Sequence, residues 1–371
     1  MAIKQWEEAT LPKRPGLYIN FKEAAAAVVG GKRGRVATVI TVPKEVEDSD
    51  KLEGKVLRIE RESDLREYFG EEATNTVFDN VRNILMGGAQ AVFGYAVLAE
   101  VKEVEGEDGE VESTETVVSL EIDKMVDALD RIDFNVFAQP AIKLDEEDVQ
   151  KIVAWAKSSA NEGKKPFMYV LGAQKDTWEE RMTEKGAVQE EGGVFLMTGG
   201  SLGKKSYAPY QYASFVAGMI AGTPLNESVT YRQVSLSDVD IRLKNSEIEE
   251  GLEAGGLILV HDGDSVRVEQ GLTSNGDKIR KVAGRYTIAT DLEKTARKNW
   301  VGRITNNEPG RLAILGLVEA YLNTLASADV LTDIVVREST LFESKEDKFF
   351  VDIEYTELDS MERIFFTISP N

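Results

Sequence analysis

The residue best suited to chemistry is His261. It is the only histidine in the chain, and so the only imidazole that could act as a base near neutral pH. Asp262 and Asp264 lie beside it and serines are plentiful, so an orienting carboxylate and a hydroxyl nucleophile are both at hand. A nucleophilic triad needs these groups in mutual reach. His261 sits in Leu257-Ile258-Leu259-Val260-His261-Asp262-Gly263-Asp264, whose plain reading is a strand entering a hairpin turn. An α/β hydrolase-like enzyme using His261 is therefore kept as the alternative reading.

Thr198-Gly199-Gly200-Ser201-Leu202-Gly203-Lys204-Lys205-Ser206 follows a strand-like run and invites a phosphate-loop reading. That loop needs four residues between its glycines and a lysine followed directly by Ser or Thr. Here three residues separate Gly199 from Gly203, and Lys205 intervenes before Ser206, so a basic surface loop is the better reading. Asp238 and Asp240 begin a calcium-loop spacing, but Arg242 stands at the next ligand position. Cysteine is absent, which excludes disulfides and thiolate zinc sites, and a single histidine excludes a multi-histidine metal site. No metal and no cofactor is expected. The 65 acidic residues against 44 basic ones give a net charge of −21, which repels nucleic acid and anionic lipid. Neither a nucleic acid partner nor membrane insertion is expected. Apolar runs such as Val92–Val97 are strand-sized, and the first residues lack a basic region followed by an apolar core, so no secretory signal is expected.

The elements that would position these groups fall into segments of different texture. With 371 residues, the chain has room for two or three domains. Leu17-Tyr18-Ile19-Asn20-Phe21, after Pro15-Gly16, alternates as a short strand with no neighbour to pair with. Val36–Val42 and Leu57–Ile59 read as strands, Glu62–Phe69 and Thr76–Leu85 as helices. Val92–Val104 and Val111–Ile122 read as a long hairpin with an acidic tip. From Asp123 to about Ala221, helices and strands alternate in the manner of a parallel, helix-covered sheet. Beyond Ser246 come a short helix, the hairpin at His261, helices Leu292–Ile304 and Arg311–Ser327, and strands Ile334–Glu338, Phe349–Tyr355 and Ile364–Ile368. The last two alternate well and predict a hairpin turning at Leu358–Ser360. The fold class is α/β plus α+β. Its divisions are an N-terminal arm and linker (1–34), a β-rich domain (35–122), a central α/β domain (123–245), a C-terminal α+β domain (246–341) and a C-terminal linker and arm (342–371).

Four stretches together resemble one family, the contractile tail sheath proteins of phages and phage-derived injection machines. Pro15-Gly16-Leu17-Tyr18-Ile19 resembles the family's start. Tyr212–Gly222, leading into Thr223-Pro224-Leu225-Asn226-Glu227-Ser228 and Thr230, is similar to its Ala-Gly-rich helix and Pro-Asn-Ser/Thr loop. Ala254-Gly255-Gly256-Leu257-Ile258-Leu259 and Val266-Arg267-Val268-Glu269-Gln270-Gly271-Leu272-Thr273 are similar to its Gly-Gly-aliphatic strand and the strand after it. Met361-Glu362-Arg363-Ile364-Phe365-Phe366-Thr367-Ile368 looks like its last strand. Leu272-Thr273-Ser274 departs from the Thr-Thr pair of many relatives. The compact length is similar to the small sheaths of Gram-positive prophages and tailocins.

The resemblance implies a structural polymer and no enzyme. Subunits would stack as six-fold rings around a tail tube and contract from a metastable extended state. It implies an intersubunit N-terminal arm carried by Leu17, Tyr18, Ile19 and Phe21 and a C-terminal arm carried by Ile364, Phe365, Phe366 and Ile368. Phe350, Val351, Ile353 and Tyr355 would be the acceptor strand, Gly30, Gly31 and Gly34 the hinge, and Phe342–Asp347 the C-terminal linker. Strand donation would answer where the unpaired backbone groups at both chain ends find partners. The implied partners are further copies of the chain, the tail tube protein, and baseplate and tail terminator proteins. The implied location is a virion tail or tailocin particle, assembled in the bacterial host cytoplasm. A different oligomeric shell or adaptor is the third reading.

Overall fold

The structure is a computed structural model, and it describes residues 28, 30, 31 and 33–369 apart from 75, 106–110, 119 and 162–164. The expected N-terminal arm residues Leu17, Tyr18, Ile19 and Phe21 and the acidic hairpin tip lie outside the described residues. In chain order the elements begin with β1 (Arg35–Pro43), α1 (Ser49–Leu52), β2 (Val56–Ile59), α2 (Glu62–Phe69), α3 (Asp79–Gly87), β3 (Ala91–Glu105) and β4 (Val111–Val118). There follow α4 (Ile122–Leu129), β5 (Val136–Ala138), α5 (Glu146–Asn161), β6 (Met168–Gly172), α6 (Trp178–Gly186) and β7 (Gly193–Leu196). Next come β8 (Gly200–Leu202), β9 (Lys205–Tyr207), α7 (Pro209–Gly222), β10 (Asp238–Val239), α8 (Asn245–Glu253), β11 (Leu259–His261) and β12 (Val266–Val268). The last are α9 (Ile279–Thr295), α10 (Glu308–Ala326), β13 (Leu331–Glu338) and β14 (Val351–Glu357).

The chain divides into two compact units, one of residues 31–290 with 357–369, the other of residues 291–356 with 28 and 30. The larger unit is built on a seven-stranded sheet ordered β2-β3-β1-β5-β6-β7, with β4 also pairing β3. β3, β1, β5, β6 and β7 run parallel, while β2 and β4 are antiparallel to β3. The strands are apolar on both faces, as a sheet covered twice requires. Val36, Ile40 and Val42 of β1 point to one side, among Leu65, Phe69 and Ile84 of α2 and α3 and the apolar residues of α7. Ala37 and Val39 point to the other, among Met125, Leu129, Ile152, Trp155 and Trp178 of α4, α5 and α6. Period two along each strand thus fills both cores at once. Strands from both sides of the boundary expected at 122/123 lie in this one sheet. β1–β3 and β5–β7 share one hydrogen-bonded ladder, because strand pairing between β1 and β5 joins the two segments.

Two glycine-bearing stretches have packing reasons. On α7, a Cβ at Gly218 would strike the backbone of Ile84 on α3, and one at Gly222 would strike the backbone of Gly88. Small residues four apart let the two helices touch backbone to backbone. Gly255 takes φ +80, which only glycine adopts readily. After that turn Leu257 lies beside β7: its N–H donates to Phe195 O at 2.9 Å, and Met197 N–H donates to Leu257 O at 2.8 Å.

The smaller unit has one long helix and one hairpin. α10 opens on Asn307, whose side chain accepts from Gly310 N–H at 2.9 Å, and Pro309 follows in its first turn. It packs Val318, Tyr321 and Leu322 inward, and Leu331 at the start of β13 is buried too. β13 and β14 form a sheet of two strands.

Three expectations differ from what is seen. α9 begins at Ile279, thirteen residues before the expected Leu292, because Ile279 and Val282 enter the core. The hairpin of the chain's last part is β13–β14; no strand is assigned to Ile364–Ile368. The expected linker Phe342–Asp347 is instead the loop joining β13 to β14. It is pinned, with Arg311 donating to Ser344 O at 2.8 Å and Asn306 donating to Glu346 O and Lys348 O, both at 2.9 Å. The Asn306, Asn307 and Arg311 cluster thus caps a helix and holds this loop.

Candidate functional site: the root and tip of the C-terminal segment

The enzyme-like groups are placed for structure. His261 ends β11, and its Nδ1 accepts from Gly263 N–H at 3.1 Å. Asp262 does not orient it. Its carboxylate accepts from Ser265 N–H at 2.9 Å and Asp264 N–H at 3.0 Å and pairs with Arg267, and those donors hold it near pKa about 2. The run Thr198–Ser206 forms a small hairpin, β8–β9, turning at Gly203. It contains the spacing Gly199-x-Ser201-x-Gly203 of a nucleophile turn, but Ser201 lies within β8 between β9 and β10, not on a strand-to-helix corner. Lys205 pairs with Asp79. Asp238 is engaged by Arg242 at 3.0 Å and Asp240 by Arg181 at 2.8 Å. Among the described residues no cluster of three or more acidic or histidine side chains is placed to hold a metal.

The groups that do converge lie where the C-terminal segment meets the larger unit. After β14 the chain runs irregularly from Leu358 to Ser369. Glu362 enters a socket in which its carboxylate accepts from Thr230 Oγ1 at 2.7 Å, Ser228 Oγ at 3.0 Å and Gln270 Nε2 at 3.0 Å, and pairs with Lys278. Its side chain is only 9% exposed. The socket is itself braced: Thr230 Oγ1 also accepts from Gly271 N–H at 2.9 Å. Burial pushes the Glu362 carboxyl up, but the bonds from Lys278, Gln270, Thr230 and Ser228 outweigh it and hold the group below its ordinary 4.5. Three of the sequence stretches that carry the family resemblance therefore meet at one carboxylate. They are the loop after α7, the segment after β12 and the chain's last run.

The rest of the root is held by α9. Arg285 grips Glu357 with both arms of its guanidinium, at 2.5 and 2.9 Å, and also pairs with Glu191. Lys281 pairs with Asp359 at 3.2 Å, and Arg280 donates to Ser360 Oγ at 2.9 Å. These bonds hold residues 357–360 on α9, and no hairpin turn forms at Leu358–Ser360 among the described residues.

On either side of Glu362 the segment is bare. Met361, Ile364, Phe365, Phe366 and Ile368 are 89, 62, 89, 82 and 85% exposed. Five large apolar side chains in eight residues, all facing solvent, need a partner to cover them. In the smaller unit, Val351, Ile353 and Tyr355 lie in β14 as expected, half-buried, and Phe350 directly precedes it, 5.2 Å from Phe342 ring to ring. A sheet of two strands has two outer edges and is marginal by itself. Of the expected hinge glycines, Gly34 is fixed. It holds φ +77, and its carbonyl accepts from Gln90 N–H at 2.7 Å and Ala91 N–H at 3.1 Å, so it anchors β1 to β3. The division between the two units falls between Gly30 and Gly31. Sequence reading passed over Glu362, Ser228, Gln270 and Lys278; a lone carboxylate in so acidic a chain carries no signal of its own.

The larger unit is a doubly covered α/β sheet and the smaller one carries a two-stranded sheet, with an uncovered apolar tail after Glu362; this is the fold of a multi-domain α/β plus α+β protein. Residues 115–274 match the family described as phage tail sheath protein central domain, and residues 277–370 match the phage tail sheath C-terminal domain. The chain belongs to the contractile phage tail sheath family. It is a structural component of a contractile phage tail or injection-system particle, and the hydrolase reading on His261 finds no support. A similar protein is the tail sheath protein of Clostridium phage phiCD119, 22% identical over 343 residues, 88% of this chain and 85% of that one. In fold the chain is similar to a sheath tail protein from Desulfitobacterium hafniense, with TM-score 0.67 and 19% identity over 92% of this chain and 100% of that one. It is also similar to the contracted helical sheath protein of the anti-feeding prophage, with TM-score 0.70 and 16% identity over 97% and 100%.

Proposed function

We infer that the chain polymerises by strand exchange, each subunit lending extended segments to the two-stranded sheet of a neighbour. The C-terminal donor is Ile364, Phe365, Phe366 and Ile368, and the N-terminal donor is Leu17, Tyr18, Ile19 and Phe21. The acceptor is the β13–β14 sheet, with Phe350, Val351, Ile353 and Tyr355 along one edge. The observation that carries this reading is the run of bare apolar side chains beyond Glu362. Added strands would cover them and complete a sheet too small to be stable alone. Gly30 and Gly31, at the division between the units, serve as the N-terminal hinge.

The polymer is a stack of hexameric rings around a tail tube, bounded by baseplate and terminator proteins and assembled in the bacterial cytoplasm. Contraction runs from a metastable extended lattice to a more stable one, with strand-exchanged sheets keeping neighbours joined while rings repack. The similar protein in the contracted anti-feeding prophage sheath supports a polymer of this kind. The test is negative-stain electron microscopy of the full chain, with and without tube protein, beside a variant lacking Met1–Phe21. Tubes from the full chain and none from the truncation are expected. Normal tubes from the truncation would overturn N-terminal strand donation.

A further inference from the structure

The socket at Glu362 has a consequence for how far the C-terminal arm can swing. From Glu357 to Glu362, no more than one residue separates successive anchoring side chains, and each meets a partner in the larger unit. Three anchors are ion pairs to cations on or just before α9, and the fourth is the hydroxyl of Ser360. Beyond Glu362 no described side chain of the segment is buried. A buried carboxylate with four donors is costly to withdraw, because withdrawal strips the donors of a charge-assisted partner. The first turns of α9 and the segments around Ser228 and Gln270 belong to the same unit.

We propose that Glu357–Glu362 is a clamp that keeps the root of the C-terminal arm on its own subunit in both extended and contracted lattices. Only Arg363–Ile368 then swings to a neighbour. The clamp rests on the strand-exchange reading for what the free tip does, and on the Glu362 socket for where the tip begins. Six extended residues reach about 20 Å, so the receiving sheet must lie within about 20 Å of Glu362 in either state. The clamp therefore limits how far rings can separate, and contraction must be accommodated at the tip and the N-terminal hinge.

The first measurement needs no substitution. Tubes are assembled from an equal mixture of light and heavy-isotope chains and treated, extended and contracted, with a zero-length amine–carboxylate cross-linker. Lys278–Glu362 and Lys281–Asp359 links are expected in both states, joining peptides of the same isotope. Mixed-isotope links, or their loss in one state while other ion-pair links persist, would overturn the clamp. The second measurement is hydrogen exchange on the full chain. Glu362→Ala and Lys278→Ala should each speed exchange in 357–362 by about tenfold or more, and the double variant by less than the product of the two. Unchanged exchange in Glu362→Ala, or effects that multiply fully, would overturn it. Removing 363–369 tests strand exchange separately: normal tubes from that truncation would refute the arm's donation while leaving both clamp readouts intact.

Discussion

Truncating one aromatic residue of the arm separates assembly from folding. Phe365 and Phe366 are 89 and 82% exposed, so the isolated subunit buries little of either ring. Replacing either with alanine should leave the subunit's melting temperature within about 1 °C, as for surface substitutions generally. In a docked strand successive side chains alternate, so one of the two rings faces the receiving core with Ile364 and Ile368, or the other faces it alone. Burying a phenylalanine side chain is worth about 1.5–3 kcal/mol, and 1.4 kcal/mol is a factor of ten. In a lattice where every subunit gives one arm and receives one, each added subunit makes one net arm contact. The critical concentration for tube growth should therefore rise roughly 10- to 150-fold for the inward ring and under about threefold for the outward one. Light scattering against concentration, with electron microscopy to identify the particles, measures this. If Phe365→Ala and Phe366→Ala both leave the critical concentration unchanged, or if either lowers the melting temperature by several degrees, the arm does not dock as a strand.

Other substitutions address the fold and the socket. Gly218→Ala should lower the melting temperature, by about 1–3 kcal/mol of stability, because its methyl would meet the backbone of Ile84; helix propensity alone would raise it. The Glu362 carboxyl is held below 4.5 in the folded state, so its contribution is complete above that pH and is lost as the pH falls through the depressed value. Exchange protection of 357–362, corrected for intrinsic rates, should be flat from pH 7 to about 5 and should fall only below the ordinary carboxylate range. His261→Ala should leave tube yield and contraction unchanged in the electron microscope; a loss of either would give the imidazole a role that its turn geometry does not.

The sheet strands were legible because both their faces are buried. β1, β2 and α2 follow their expected bounds to within a residue or so, since an unbroken apolar run or a clean helical stripe leaves little choice. α9 was legible only in its last turn, Leu292–Thr295. Its first turns carry Arg280, Lys281 and Arg285, a polar pattern that reads as loop until their carboxylate partners are seen. The last strand was over-read for the opposite reason. Ile364–Ile368 has strand composition, but composition does not supply a ladder partner, and within one chain none is present among the described residues. The linker at 342–347 was misread because a charged loop and a flexible loop have the same composition, and only Asn306 and Arg311 show that this one is pinned.

These misreadings share a cause that bears on mechanism. A subunit designed for exchange carries segments whose sequence is correct for a structure it does not form alone. Such segments must be prevented from satisfying themselves in place, or the polymer never forms. Under the strand-exchange proposal, the bonds from Arg285, Lys281 and the Glu362 socket would oppose this by holding residues 357–362 on the larger unit, away from a hairpin register for the apolar tip. The clamp thus opposes self-pairing as well as fixing the root. Weakening it should then give a second, opposite effect to simple loss of assembly: more compact, self-satisfied subunits that neither aggregate nor polymerise. Small-angle scattering of Glu357→Ala/Glu362→Ala should show a smaller, monodisperse monomer and electron microscopy no tubes; a variant that instead aggregates through its exposed phenylalanines would refute the self-pairing argument.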